Sequence, residues 1–198
     1  DLCAVFGDGI LIATLETCLA NGEVVVALQA EEPLMAVLEK YGTTPLPPYI
    51  HRTPDDPRTA LDTTRYQTVF ARTVGAVAAP TAGLHLTNEL LTGLAQHGIG
   101  HTFITLHVGP GTFRPVKSEH VENHVMDAER YEISADSAQA IAECRARGGR
   151  VVAVGSTTVR TLESVAAQND GNIVADTGNS ELFIRPPYDF KVVDAMLT

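Results

Sequence analysis

Hydrophobic and polar positions follow two different rhythms along the chain. Up to about residue 30 the rhythm is that of strands. Gly7-Asp8-Gly9 is a turn signal followed by an alternating, β-branched run from Ile10 to Leu15, and Asn21-Gly22 introduces a second run, Glu23 to Leu28. These predict hairpins of a small β domain. Leu34, Val37 and Leu38 then recur at helical spacing within Pro33 to Tyr41, with Gly42 as a stop. The prolines of Pro45-Leu46-Pro47-Pro48-Tyr49-Ile50 fix φ and remove donors, and a polar stretch follows from Thr53 to Thr64. A domain boundary is expected there, giving residues 1–60 and 61–198.

Beyond Tyr66 the predicted elements alternate between strand and helix. Gly75 to Ala79 and Thr102 to Val108 read as strands. Between them Thr87 caps a helix with Leu90, Leu91 and Leu94 on its inner stripe and Gly98 past its end. Ser134 caps a second helix, with Ala138, Ile141 and Ala142 facing inward and Gly148-Gly149 as its stop. Val151 to Val154 is a buried-type strand that runs through Gly155 into a helix beginning at Ser156. Leu182 to Arg185 and Phe190 to Val193 read as further strands. Such alternation predicts an α/β fold with a largely parallel sheet and flanking helices.

Composition narrows the class. The 198 residues are 44% hydrophobic and 19% charged, as expected of a globular chain holding one domain plus part of another. No apolar run approaches the ~18 residues of a membrane span, and Asp1 to Gly9 lacks the pattern of a signal peptide, so no membrane role is expected. Cys3, Cys18 and Cys144 form no C-x-x-C pair, which supports neither a disulfide framework nor a cysteine zinc site and suits a reducing cytoplasm. The net charge of −10 argues against a sequence-independent grip on nucleic acid. It is uneven, with nine acidic and three basic side chains in residues 1–60 against fifteen and eleven in the remainder, leaving room for a local basic site.

In open α/β sheets ligands collect beyond the carboxyl ends of strands. Three predicted strand ends carry chemistry: Pro80-Thr81-Ala82-Gly83-Leu84-His85, His107-Val108-Gly109-Pro110-Gly111-Thr112-Phe113-Arg114, and Gly155-Ser156-Thr157-Thr158 with Arg160. Gly109-Pro110-Gly111 is either a tight turn needing positive φ or a loop that brings amides to a ligand, with Thr112 as a donor and Arg114 as a fixed charge. It matches neither the Walker loop nor the dinucleotide fingerprint. Ser156 and Thr157 at a helix start can hold a carboxylate, phosphate or ribose hydroxyl, or can simply cap the helix. Arg160 can bind such a group or pair with Glu163. His107, beside the glycine turn, is the first candidate for a general acid or base, with His85 as the second. His120 and His124 share an i, i+4 spacing, but Glu122 is misplaced for H-E-x-x-H and no third ligand stands out, so no metal site is assigned.

Six ordered blocks, Pro45–Ile50, Tyr66–Ala71, Ala78–His85, Leu106–Val116, Ala153–Ser164 and Phe190–Asp194, together resemble the S-adenosylmethionine:tRNA ribosyltransferase-isomerase family of queuosine biosynthesis. The chain departs from that family at Pro110, at Asp127 where a histidine is usual, and at Asn179 where a tryptophan is usual. The resemblance implies an α/β domain with an inserted β-barrel, residues 1–60 being the carboxyl-terminal part of that barrel. It also implies a fragment, since the family extends beyond both ends.

The implied reaction moves the ribosyl moiety of S-adenosylmethionine onto 7-aminomethyl-7-deazaguanine in tRNA and isomerises it, giving epoxyqueuosine-tRNA, adenine and methionine. S-adenosylmethionine is then a ribosyl-donor substrate and no cofactor is bound permanently. The expected catalytic groups are His107 and His85. The expected substrate contacts are Thr81, Gly83, Gly109, Gly111, Thr112, Phe113, Arg114, Gly155, Ser156, Thr157 and Arg160. Two other readings stay open: a tRNA- or nucleotide-binding module without catalysis, and a metal-dependent hydrolase using His120 and His124. No sequence feature specifies an oligomeric state.

Overall fold

The computed structural model describes residues 2–19, 23–53, 55–113, 120 and 126–198. The chain divides into two compact units, residues 1–44 and 45–198.

The first unit is a meander with one helix. β1 (Cys3–Phe6) and β2 (Leu11–Cys18) pair antiparallel across the Gly7-Asp8-Gly9 turn, and β3 (Val24–Ala30) pairs antiparallel with β2. Asp8 itself takes a positive φ of 56° in that turn, which an aspartate tolerates better than most residues. The register shifts between Leu15 and Thr17, a bulge in an otherwise regular ladder. α1 (Leu34–Tyr41) ends at Gly42, as its sequence predicts, and buries Val37 while Leu38 is exposed.

In the second unit, β4 (Thr105–His107), β5 (Glu129–Ile133) and β7 (Asp176–Ser180) form an antiparallel sheet in the order β4-β5-β7. β6 (Val152–Val154) pairs parallel with β8 (Ala195–Leu197). The helices are α2 (Thr59–Arg65), α3 (Asn88–Gln96), α4 (Ala135–Ala146) and α5 (Ser156–Gln168). Thr87 and Ser134 cap α3 and α4 through their hydroxyls, accepting from the N–H groups of Leu90 and Ser137. α5 is the centre of the core: its Val159, Leu162, Val165 and Ala166 pack with Tyr131 and Ile133 of β5, Ala138 and Ile141 of α4, and Ala153 of β6. Among the described residues no helix is long and apolar enough to cross a membrane.

The mixed α/β class is met, but the described strands depart from the sequence reading in several places. Their ladders are mostly antiparallel, with β6–β8 the parallel pair. Gly75 to Ala79 is not a strand, because Gly75 has φ 139° and the N–H groups of Val77 and Ala78 both turn to the one carbonyl of Val108. Phe190 to Val193 is not a strand either, because the N–H groups of Lys191, Val192 and Val193 go to a side-chain carboxylate, that of Glu163. Leu182 to Arg185 is likewise irregular. The polar stretch before Tyr66 holds α2, with Arg52 gripping Asp62 of that helix through two 2.8 Å bonds. The expected α3 stripe is only partly covered, Leu90 remaining exposed.

Candidate functional site

The turn from β6 into α5 sets the site. Gly155 adopts φ 90°, a conformation that disfavours any residue with a Cβ, and this lets the chain reverse from strand to helix within one residue. Among the described residues no side chain caps the helix, and the Thr158 hydroxyl turns back to the Val154 carbonyl at 2.8 Å. The first N–H groups of any α-helix lack intrahelical acceptors, so those of Ser156 and Thr157 remain available together with the positive end of the helix dipole.

These groups open into a cleft of about 270 Å³ in the second unit. Thr81, Thr112, Phe113, Gly155, Ser156 and Thr157, all expected from the sequence, line it. Thr81 begins a 3-10 turn, Thr81–His85, and Thr112 and Phe113 belong to another, Pro110–Phe113. No Asp, Glu, Lys, Arg or His is among the described lining residues. The lining side chains therefore carry no formal charge, and the wall is rich in hydroxyl and amide donors and biased toward an acceptor or anion by α5.

The other expected residues lie elsewhere. His107 ends β4 opposite Arg130, half-buried, one residue before the cleft-lining Val108. Its ring rests on Gly75: a Cβ there would stand 2.5 Å from Nδ1. His85 is exposed at the end of the turn that begins at Thr81. Gly83 is buried against Phe70 and Thr68, where a Cβ would come within 2.8 and 2.9 Å, so its lack of a side chain serves packing. Gly109 and Gly111 do not have the positive φ that a tight turn would need; the segment winds into a 3-10 turn instead, and the Asp127 carboxylate packs against Gly111. Arg114 and His124 lie outside the described residues.

Arg160 points into the protein. Its Nη1 donates to Glu129 Oε2 at 3.0 Å, its Nε to the Leu182 carbonyl at 2.9 Å, and its Nη2 to the carbonyls of Ser180 and Asp127. The expected alternative pairing with Glu163 does not form, because Glu163 is committed to the 191–193 amides. Burial pushes the Glu129 carboxyl above its usual range, Arg160 pulls it back, and Asp127 adds to the rise. Of the expected site residues, Ser156 lines the cleft and His107 stands beside it, while Arg160 is spent on the fold.

Tyr49, Tyr66 and Thr158 also line the cleft and were not among the expected site residues. Tyr49 and Tyr66 fall inside two of the six sequence blocks, which was the available signal. Among the described residues no cluster of three or more His, Cys, Asp or Glu is arranged to hold a metal ion.

Comparison with known proteins identifies the relatives of this chain. The family model described as "Queuosine biosynthesis protein" matches residues 4–198. The S-adenosylmethionine:tRNA ribosyltransferase-isomerase of Anaeromyxobacter sp. (strain Fw109-5) is 52% identical over 95% of this chain and 53% of its own length. That of Pelobacter propionicus is 54% identical over 86% of this chain and 48% of its own. A crystal structure of the S-adenosylmethionine tRNA ribosyltransferase from Thermotoga maritima aligns over 96% of this chain and 46% of its own, with 25% identity and a TM-score of 0.42. The chain spans about half the length of the curated relatives it matches. With nearly every residue covered by one family model, the chain belongs to the queuosine biosynthesis protein family.

Proposed function

We propose that the intact protein to which this chain belongs is an S-adenosylmethionine-dependent tRNA ribosyltransferase-isomerase. It transfers the ribosyl moiety of S-adenosylmethionine to 7-aminomethyl-7-deazaguanine in tRNA, isomerises it, and yields epoxyqueuosine-tRNA, adenine and methionine. The observation that carries this reading is the donor-lined cleft at the uncapped start of α5, built from five of the six sequence blocks shared with the family. Its amides and hydroxyls suit the carboxylate or ribose oxygens of the donor. At about 270 Å³ it sits just below the usual range of whole small-molecule sites and suits one end of such a molecule.

The sulfonium acidifies the adjacent ribose C5′ protons, so a base that titrates near neutrality is required. His107 beside the cleft is our first choice and His85 the second. Arg114 serves the donor carboxylate or a tRNA phosphate, while Gly83, Gly109, Gly111 and Arg160 act by shaping the backbone around the cleft. In this reading residues 1–60 complete an inserted β-barrel together with the remainder of the full-length protein, and residues 61–198 belong to an α/β catalytic domain with a parallel sheet. S-adenosylmethionine is consumed as a substrate, no cofactor stays bound, no metal takes part, and the enzyme works in the cytoplasm.

Incubating the full-length protein with S-adenosylmethionine and tRNA carrying the 7-aminomethyl base should release free adenine only when both are present, and a chelator should leave the yield unchanged. Absence of adenine overturns the transferase reading. Loss of activity to the chelator, restored by zinc, favours a metal-dependent hydrolase instead.

A further inference from the structure

Three buried side-chain oxygens among the described residues have no hydrogen-bond partner: those of Thr59, Tyr66 and Thr161. Of these, Tyr66 also lines the cleft. Its residue is 8% exposed, so water gives the phenol little compensation, and a buried hydroxyl without an acceptor is a cost that folded proteins rarely leave standing. The position is firmly built. Tyr66 closes α2, its N–H bonding to the Asp62 carbonyl at 2.8 Å, and Asp62 is in turn gripped by Arg52. Burial first, and then the neighbouring Tyr49, raise its pKa; the Ala79 N–H, which approaches the phenol oxygen without completing a hydrogen bond to it, opposes them, so the phenol keeps its hydrogen at neutral pH and is a donor.

We propose that Tyr66 is a substrate-binding residue whose hydroxyl donates to the carboxylate of the S-adenosylmethionine methionyl group, seated at the start of α5. The inference rests on the functional reading above. It follows from what the cleft lacks as much as from what it holds: its described lining has no acidic side chain to meet the sulfonium or the ammonium group and no basic side chain to meet a phosphate. An anion held by neutral donors and a helix dipole is the group that such a wall stabilises, and the carboxylate is the anionic group of this donor. Tyr66 thereby supplies, among the described lining residues, the buried donor whose own partner is missing from the protein.

The test is calorimetric titration of the full-length protein and its Tyr66→Phe variant with S-adenosylmethionine and with its decarboxylated form. The variant keeps the ring and should melt close to the wild type. Its affinity for S-adenosylmethionine should fall roughly ten- to a hundredfold, as for a lost hydrogen bond to a charged group, while its affinity for the decarboxylated form should be unchanged. A second readout needs no variant: the wild type should itself bind the decarboxylated form more weakly. Equal affinity of variant and wild type for S-adenosylmethionine overturns the role of Tyr66. A parallel loss for both ligands overturns the carboxylate as its partner. A wild-type protein that binds neither ligand overturns the functional reading itself.

Discussion

The carboxylate of Glu163 accepts the backbone N–H of Val193 at 2.9 Å, thirty residues further along the chain. The same carboxylate accepts the N–H groups of Val192 at 3.0 Å and Lys191 at 2.8 Å, and the side chain is fully buried. α5 therefore uses one acidic residue to organise the approach to β8 and one basic residue, Arg160, to hold the segment after β7 and the start of β5. Because β8 pairs with β6, and β6 leads into the cleft at Gly155, these contacts fix the site from behind.

Glu163→Gln should accordingly be severely destabilising. An amide can face the three backbone donors and the Tyr188 hydroxyl with only one oxygen, leaving N–H groups opposed to N–H groups at a fully buried position. A loss of about 3 kcal/mol in urea unfolding is expected from the lost charge-assisted bonds and stranded donors. A variant as stable as the wild type contradicts this assignment.

Arg160→Gln should cost about 3–5 kcal/mol near neutral pH, because it leaves Glu129 buried without its counter-charge. The Glu129 carboxyl is already raised by burial, and without Arg160 it rises further. A carboxyl with a raised folded-state pKa favours the native state when protonated and loses that advantage as pH climbs through the folded value. The deficit should therefore shrink in mild acid. Denaturant midpoints of both proteins across the acidic range provide the check, and a deficit independent of pH would mean that Glu129 is not the source.

Tyr131 donates to Asp176 Oδ2 at 2.6 Å, and burial, reinforced by that carboxylate, pushes its pKa from 10.0 to about 12. In the unfolded chain the phenol ionises first, so stability falls as pH rises from 10.0 toward about 12. Tyr131→Phe should be less stable than the wild type below that window, with the difference narrowing inside it. A constant difference in alkaline melts would contradict the shift.

Much of the second unit's helical frame was legible because capping and stop signals are local: Thr87, Ser134 and Gly155 each act within a few residues of their own position. The hairpin around Asp8 was readable for the same reason. Phe190 to Val193 looks like a strand in sequence but satisfies its amides with Glu163, a partner that no local pattern reveals. β5 shows the opposite case. Its residues alternate between buried and exposed, yet Glu129 at a buried position masks the pattern until Arg160 is seen beside it. In the cleft, hydroxyls at a helix start were legible, whereas Tyr66 was not, since an orphaned phenol is a property of packing.

Gly75→Ala tests whether the placement of His107 matters. The added methyl would meet Nδ1 in a backbone conformation, φ 139°, that alanine disfavours, so the ring must move. If His107 is the base, the variant should approach His107→Ala, for which a fall in turnover of roughly 10²–10⁴ is expected. Full turnover in both variants would transfer the role to His85.

Group transfer at this cleft can be read out by following the ribose. S-adenosylmethionine labelled with carbon isotope in the ribosyl ring should, with the full-length protein and the 7-aminomethyl tRNA, place its label in one modified nucleoside of the digested tRNA, one equivalent for each adenine released. Label that stays attached to adenine, or that appears in a free sugar while the tRNA stays unlabelled, would contradict it.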